Sequence, residues 1–246
     1  MADLGEAAFW GALVGLSLVA GALVAALVRL SAVAASSLTA FGGGLLLSAV
    51  ALELVPEADA DAGTAITAAG LVAGTVAYVL ADRWLHSDPH MSEMRTAVHA
   101  AASGRMMMSP DRMQAGRALA AGLVIDGVPE SLALGLTVAQ GELGLALLAG
   151  VLVGNVVEAY GSAHLIGAGA LRLFAIIGAA LAVTTVLGAT GLSDASPGFV
   201  GGAQAVAAGA VLAVISITIV PETFHDIARR VALATVLGFV AGYLVS

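Results

Sequence analysis

Polar residues divide the chain into eight apolar runs with loose edges, at about 7–28, 34–56, 63–82, 115–138, 143–166, 173–192, 198–221 and 228–245. Each is near the ~20 residues that a helix rising 1.5 Å per residue needs to cross a bilayer core. A spanning β-barrel would instead show alternating segments of roughly ten residues, and the sequence has none. With 60% apolar and 11% charged residues, a soluble fold of this length would lack the charge to cover its surface. The absence of Cys excludes a disulfide framework, thiolate zinc sites and thiol nucleophiles. The expected class is an all-α integral membrane protein, with residues 1–246 forming one transmembrane domain. Asp3 and Glu6 precede the first run with no basic residue, the wrong charge for a signal peptide, so that run is expected to stay as a helix.

Arginine sets the expected orientation. There is no Lys, and Arg29, Arg83, Arg95, Arg105, Arg112, Arg117, Arg172, Arg229 and Arg230 all lie in or beside the connections after spans 1, 3, 5 and 7. The N-terminus and the connections after spans 2, 4 and 6 hold Asp3, Glu6, Glu57, Asp59, Asp61, Glu142 and Asp194 without Arg. By the positive-inside rule the Arg face is cytoplasmic and both termini lie outside, in a multi-pass protein of the cytoplasmic (inner) membrane.

Two segments repeat weakly. Glu53-Leu-Val-Pro-Glu57 reads like Thr218-Ile-Val-Pro-Glu222, an offset of 221 − 56 = 165 residues that also carries span 1 onto span 6 and span 3 onto span 8. Repeats displaced by five spans run in opposite directions, so spans 1–3 and 6–8 form an expected inverted pair around spans 4 and 5. Small-xxx-small pairs such as Gly11/Gly15 and Gly70/Gly74 let helices approach closely. The one long connection, 83–113, carries His86, His90 and His99 with six Met residues from Met91 to Met113. These residue types collect soft or borderline metals, but the spacing matches no closed ligand set, so a flexible loop with a short amphipathic helix on the membrane surface is the favoured reading.

The chemistry concentrates in spans 4 and 5. Span 4 contains Asp126-Gly-Val-Pro129-Glu130-Ser131, and span 5 contains Gly154-Asn155-Val-Val-Glu158. Asp126 and Glu130 are i,i+4 neighbours, and Asn155 and Glu158 are i,i+3 neighbours. Pro129 has no N–H to offer the Ile125 carbonyl, so the helix is expected to bend there and leave that oxygen free. An ionised side chain at mid-membrane costs at least ~2.5–3.5 kcal/mol on insertion scales. No Arg lies at that depth, so Asp126, Glu130 and Glu158 are expected to be protonated, solvated in a cavity or bound to a cation.

These segments resemble the ZIP (Zrt/Irt-like) metal transporters. Span 4 is similar to that family's His-Asn-x-Pro-Glu-Gly motif and span 5 to its His-Glu-x-Pro-Glu-Gly motif. The ends of spans 2 and 7, at Pro56-Glu57 and Pro221-Glu222, resemble its second and seventh helices. The resemblance implies a divalent metal cation transporter of the zinc, manganese or iron class, working by alternating access through a midplane carboxylate site. Glu130 and Glu158 match the motifs directly; Asp126 and Asn155 stand where the family has other ligands, and Gly154 where it has His. Ile217 and Thr218 take the place of a His-Glu pair in span 7.

The metal set expected is therefore Asp126, Glu130, Asn155, Glu158 and Glu53, the last as a transient ligand inside span 2. All offer oxygen, which suits hard cations such as Mn, while the resemblance favours Zn, Fe or Mn. Glu57, Asp59 and Asp61 form an acidic mouth, and Glu222, His225 and Asp226 could receive an ion on the other side. The expected partners are lipid and metal ions, with no nucleic acid; a homodimer is left open. A non-transporting metal sensor or scaffold with the same fold is the alternative. An intramembrane enzyme is remote, because His-Glu-x-x-His, Gly-x-Ser-Gly and Gly-x-Gly-Asp motifs are all missing.

Overall fold

An apolar segment in lipid has to close its own backbone hydrogen bonds, and this chain does so by winding into helix along nearly all of its described length. The computed structural model describes residues 4–85, 112–141, 143–191, 195–219 and 228–246. The helices are α1 (Leu4–Leu27), α2 (Ala32–Ala49), α3 (Val55–Ala62), α4 (Thr64–Leu85), α5 (Arg112–Gln140), α6 (Leu145–Ile166), α7 (Ala170–Gly191), α8 (Pro197–Val214) and α9 (Ala228–Tyr243). Two π-helical turns, Val50–Leu54 and Ile215–Ile219, continue α2 and α8. No strand occurs among the described residues. Among the described residues seven helical segments are long and apolar enough to cross a membrane, and α9 holds a shorter apolar stretch, Val231–Tyr243. The chain is thus all-helical and reads as a multi-pass membrane protein.

The second span differs from its sequence reading. It was expected to end at residue 56, yet helix continues through Pro56 to Ala62, and only Gly63, at φ 79°, separates α3 from α4. The π turn explains this. The Val55 N–H reaches back to the Val50 carbonyl, and Pro56 then falls in the first turn of α3, where its missing N–H is no loss. Of the 83–113 connection, residues 83–85 close α4 and 112–113 open α5; His86, His90 and His99 lie outside the described residues.

Four spans form the centre and the others surround it. The spans through α2/α3, α5, α6 and α8 have 61–67% of their apolar window buried, against 22–39% for α1, α4 and α7. Large apolar side chains on the outer helices, such as Leu16, Val72, Leu187 and Leu233, face outward. That is how a bundle looks when lipid is its solvent.

Among the described residues, α2 with its π turn and α8 with its π turn match. α2 and α8 are displaced by the same number at both ends (197 − 32 = 165, 214 − 49 = 165), and so are the π turns (215 − 50 = 165, 219 − 54 = 165). The packing follows the same exchange: α2 lies against α9, α4 against α8, and α1 against α7. In the last pair Gly11 meets Ala182 and Gly15 meets Gly178, so the two helices cross antiparallel. A Cβ on Gly15 would lie 2.5 Å from the Gly178 carbonyl oxygen, which is why both positions lack one. The small-residue pairs are therefore consumed inside the chain, Gly70 and Gly74 packing on Ala205 and Val206 of α8.

Candidate functional site

The acids of α5 sit where its sequence breaks the helical pattern. Pro129 lies inside α5, and Asp126 and Glu130 flank it one turn apart, both more than nine-tenths buried. Ser131 follows; its buried hydroxyl has no hydrogen-bond partner among the described residues. Two carboxylates one turn apart repel each other in a medium that screens poorly, so the pair favours water or a cation between them.

Two neighbouring helices hold this group. From α4 the Tyr78 hydroxyl donates to Asp126 Oδ1 at 2.5 Å, a bond between buried side chains. On α6, Asn155 is buried and turned toward α1: its Nδ2 donates to the Ser17 hydroxyl at 3.0 Å and to the Val14 carbonyl at 3.3 Å. Ser17 in turn donates to Val14 O at 2.6 Å. Glu158, one turn further along α6, is half-buried. A Cβ on Gly154 would meet nothing within 4 Å, so room remains beside Asn155.

Glu130 and Asn155 lie at similar distances along their helices. α5 and α6 are joined by the short connection after Gln140. Glu130 is ten residues from that end of α5 and Asn155 is nine residues from Ala146, so each lies roughly 13–15 Å along its helix from the connection.

Near that connection Glu53 does something the sequence reading did not expect. Its carboxylate is buried and accepts hydrogen bonds from the backbone N–H groups of Ala146 (3.2 Å) and Leu147 (3.4 Å), in the first turn of α6. Beyond it Glu57 accepts from Nε2 of Gln204 on α8, and Asp61 accepts from Nε2 of Gln140 at 3.2 Å, while Asp59 is exposed. Glu222, His225 and Asp226 lie outside the described residues.

The five expected ligands do not form one closed shell in this structure. Among the described residues no three His, Asp or Glu side chains come together as a group that could hold a metal ion. The reason is local: Tyr78 engages Asp126, α1 engages Asn155, and the α6 N-terminus engages Glu53. Tyr78 was missed by the sequence reading, though a lone tyrosine inside an apolar span needs a partner for its hydroxyl and so left a signal. Ser17 and Gly144 left none, since small residues fill every span. No protein-family profile matches this chain, and no curated protein matches it.

Proposed function

We propose that the chain is a divalent-cation carrier of the cytoplasmic membrane, built as an inverted repeat of spans 1–3 and 6–8 around α5 and α6, in the manner of the ZIP transporters. The observation that carries the reading is the pair Asp126 and Glu130, buried on a Pro-interrupted central helix whose arginines lie only toward its N-terminal end. Ionisable side chains buried inside a membrane span are costly to place there and mark ion pathways. The matched displacement of α2/α8 and of the two π turns supports the inverted repeat, and such repeats exchange inward and outward shapes around a midplane site.

In this reading the cargo is held by Glu130, Asp126 and Glu158, with Asn155 at the edge. The ligands close on the ion only when Asp126 is drawn from Tyr78. The donors are oxygens, so manganese or another hard divalent ion is favoured over zinc. No ATP-binding motif is present, and the driving force is the cation gradient with the membrane potential. The arginine distribution supports termini on the outside.

A second reading, a metal sensor or scaffold that does not transport, draws support from the interhelical bonds of Asp126 and Asn155, which lock spans together. Reconstitution into proteoliposomes separates the two. Competing manganese, zinc, iron, cadmium and magnesium should show uptake led by manganese, and Asp126→His should shift preference toward zinc. Cation binding without flux would favour the sensor. Neither binding nor flux would sink both readings.

A further inference from the structure

The N-terminus of α6 is capped by another span. Its N-cap residue, Gly144, supplies no side-chain hydrogen bond, and the N–H groups of Ala146 and Leu147 are satisfied instead by the Glu53 carboxylate from the π turn of span 2. Gly144 is shaped for this visitor, because a Cβ there would lie 2.8 Å from Glu53 Oε2. The attraction is that of an anion for the positive end of a helix, in a site with little water to compete.

We infer that Glu53 is the latch of the gate on the side of the α3–α4 and α5–α6 connections, tying a repeated span to a central one and releasing when the buried site opens to that side. The inference rests on the carrier reading. Alternating access requires the central helices to move against a repeated triplet, and the Glu53 bond spans that boundary. It lies roughly 13 Å along α6 from Asn155, between the site and the connection. The latch also sits on a π turn next to Pro56, a backbone with an i−5 bond and a missing donor, where helices bend. In the matching π turn, position 218 is Thr, so the opposite gate lacks a carboxylate at this place.

The test uses the absence of native Cys. Gly154→Cys puts a thiol into the open space beside Asn155, and a membrane-impermeant maleimide is applied to proteoliposomes from the connection side. Glu53→Ala should speed labelling about tenfold, the scale of losing charge-assisted hydrogen bonds. Glu53→Gln, which keeps the side-chain volume, should speed it less and guards against misfolding of the alanine variant. The double change Glu53→Ala with Gly144→Ser supplies a cap from within α6, so thermal stability should recover while labelling stays fast. Unchanged labelling in both single variants overturns the latch. So does slow labelling restored by Gly144→Ser, which would make Glu53 a plain helix cap. Flux assayed in parallel vesicles of the chain without Gly154→Cys separates the two ideas: labelling that responds while that chain shows no flux overturns the carrier reading, and flux with unresponsive labelling overturns only the latch.

Discussion

The π turns Val50–Leu54 and Ile215–Ile219 have the same length, follow helices of the same length and precede the same Val-Pro-Glu sequence. Their side chains differ. The first carries Glu53, buried and bonded to the start of α6; the second carries Thr218 at the matching position. The first helices of the two triplets diverge likewise: Ser17, which receives Asn155, corresponds to Ala182. Backbone plan and polar equipment are thus under separate constraints. The plan is fixed by packing small residues, which either half can do. Among the described residues, the polar partners Tyr78, Ser17 and Glu53 of central helices α5 and α6 come from α4, α1 and the first π turn.

If cargo belongs to the central helices and the triplets serve as frame, the largest functional loss must come from the centre. Glu130→Ala should lower cation uptake roughly 100-fold or more, since even outer-shell partners of metal sites are worth about 10–100-fold. Membrane insertion should be normal, as judged by yield and by thermal unfolding in detergent. Uptake within a few-fold of wild type would break the assignment of the cargo to α5.

The frame is tested where the triplets touch. Gly178→Leu copies into α7 the residue at the equivalent position of α1, Leu13 (178 − 165 = 13). Sequence equivalence tolerates the change; packing does not, because the Gly15 carbonyl oxygen would lie 2.5 Å from the new Cβ. Overpacking of this kind costs typically ~1–3 kcal/mol, and backbone contact puts it at the upper end. The unfolding midpoint should fall by several degrees, and an unchanged midpoint would mean that α1 and α7 do not cross there.

Glu53→Thr erases the difference between the two π turns by giving both the same residue. The N–H groups of Ala146 and Leu147 lose their acceptors in a buried place, which costs about 2 kcal/mol on the scale of lost caps and charge-assisted bonds. Hydrogen exchange should rise at those two amides and stay unchanged at the far end of α6. Exchange left as in wild type would show that the cap is not maintained in solution.

Much of the helical architecture was legible because membrane helices announce themselves by length and apolarity. The continuation of span 2 was not, since a Pro after a long apolar run reads as an end; only the π turn lets the helix pass it. At the site, Asp126 and Glu130 were visible as charges with nowhere soluble to go. Their partners were harder. Glu53 stands out by its charge, but its bonds to α6 were not legible, because its acceptors are used by backbone groups 93 and 94 positions away, which carry no sequence signature.

The smallest expected effect belongs to Ser17→Ala, which makes α1 match Ala182 of α7 (182 − 165 = 17). The Ser17 hydroxyl accepts from Asn155 Nδ2 at 3.0 Å and donates to Val14 O at 2.6 Å, so one bond between α1 and α6 and one within α1 are lost. The loss is partial. Asn155 Nδ2 keeps its bond to the Val14 carbonyl at 3.3 Å, and removing the hydroxyl frees that carbonyl from its competing donor. A neutral hydrogen bond contributes ~0.5–1.5 kcal/mol net, and with one acceptor retained the cost should fall near the lower end. Asn155→Leu removes both bonds and should cost more, so the two single variants and the double variant form a cycle. A double variant no worse than Asn155→Leu alone would show that Ser17 acts only through Asn155. If the two losses add instead, the polar contact between α1 and α6 is not the asymmetry that separates the two triplets, and the comparison must rest on Glu53 alone.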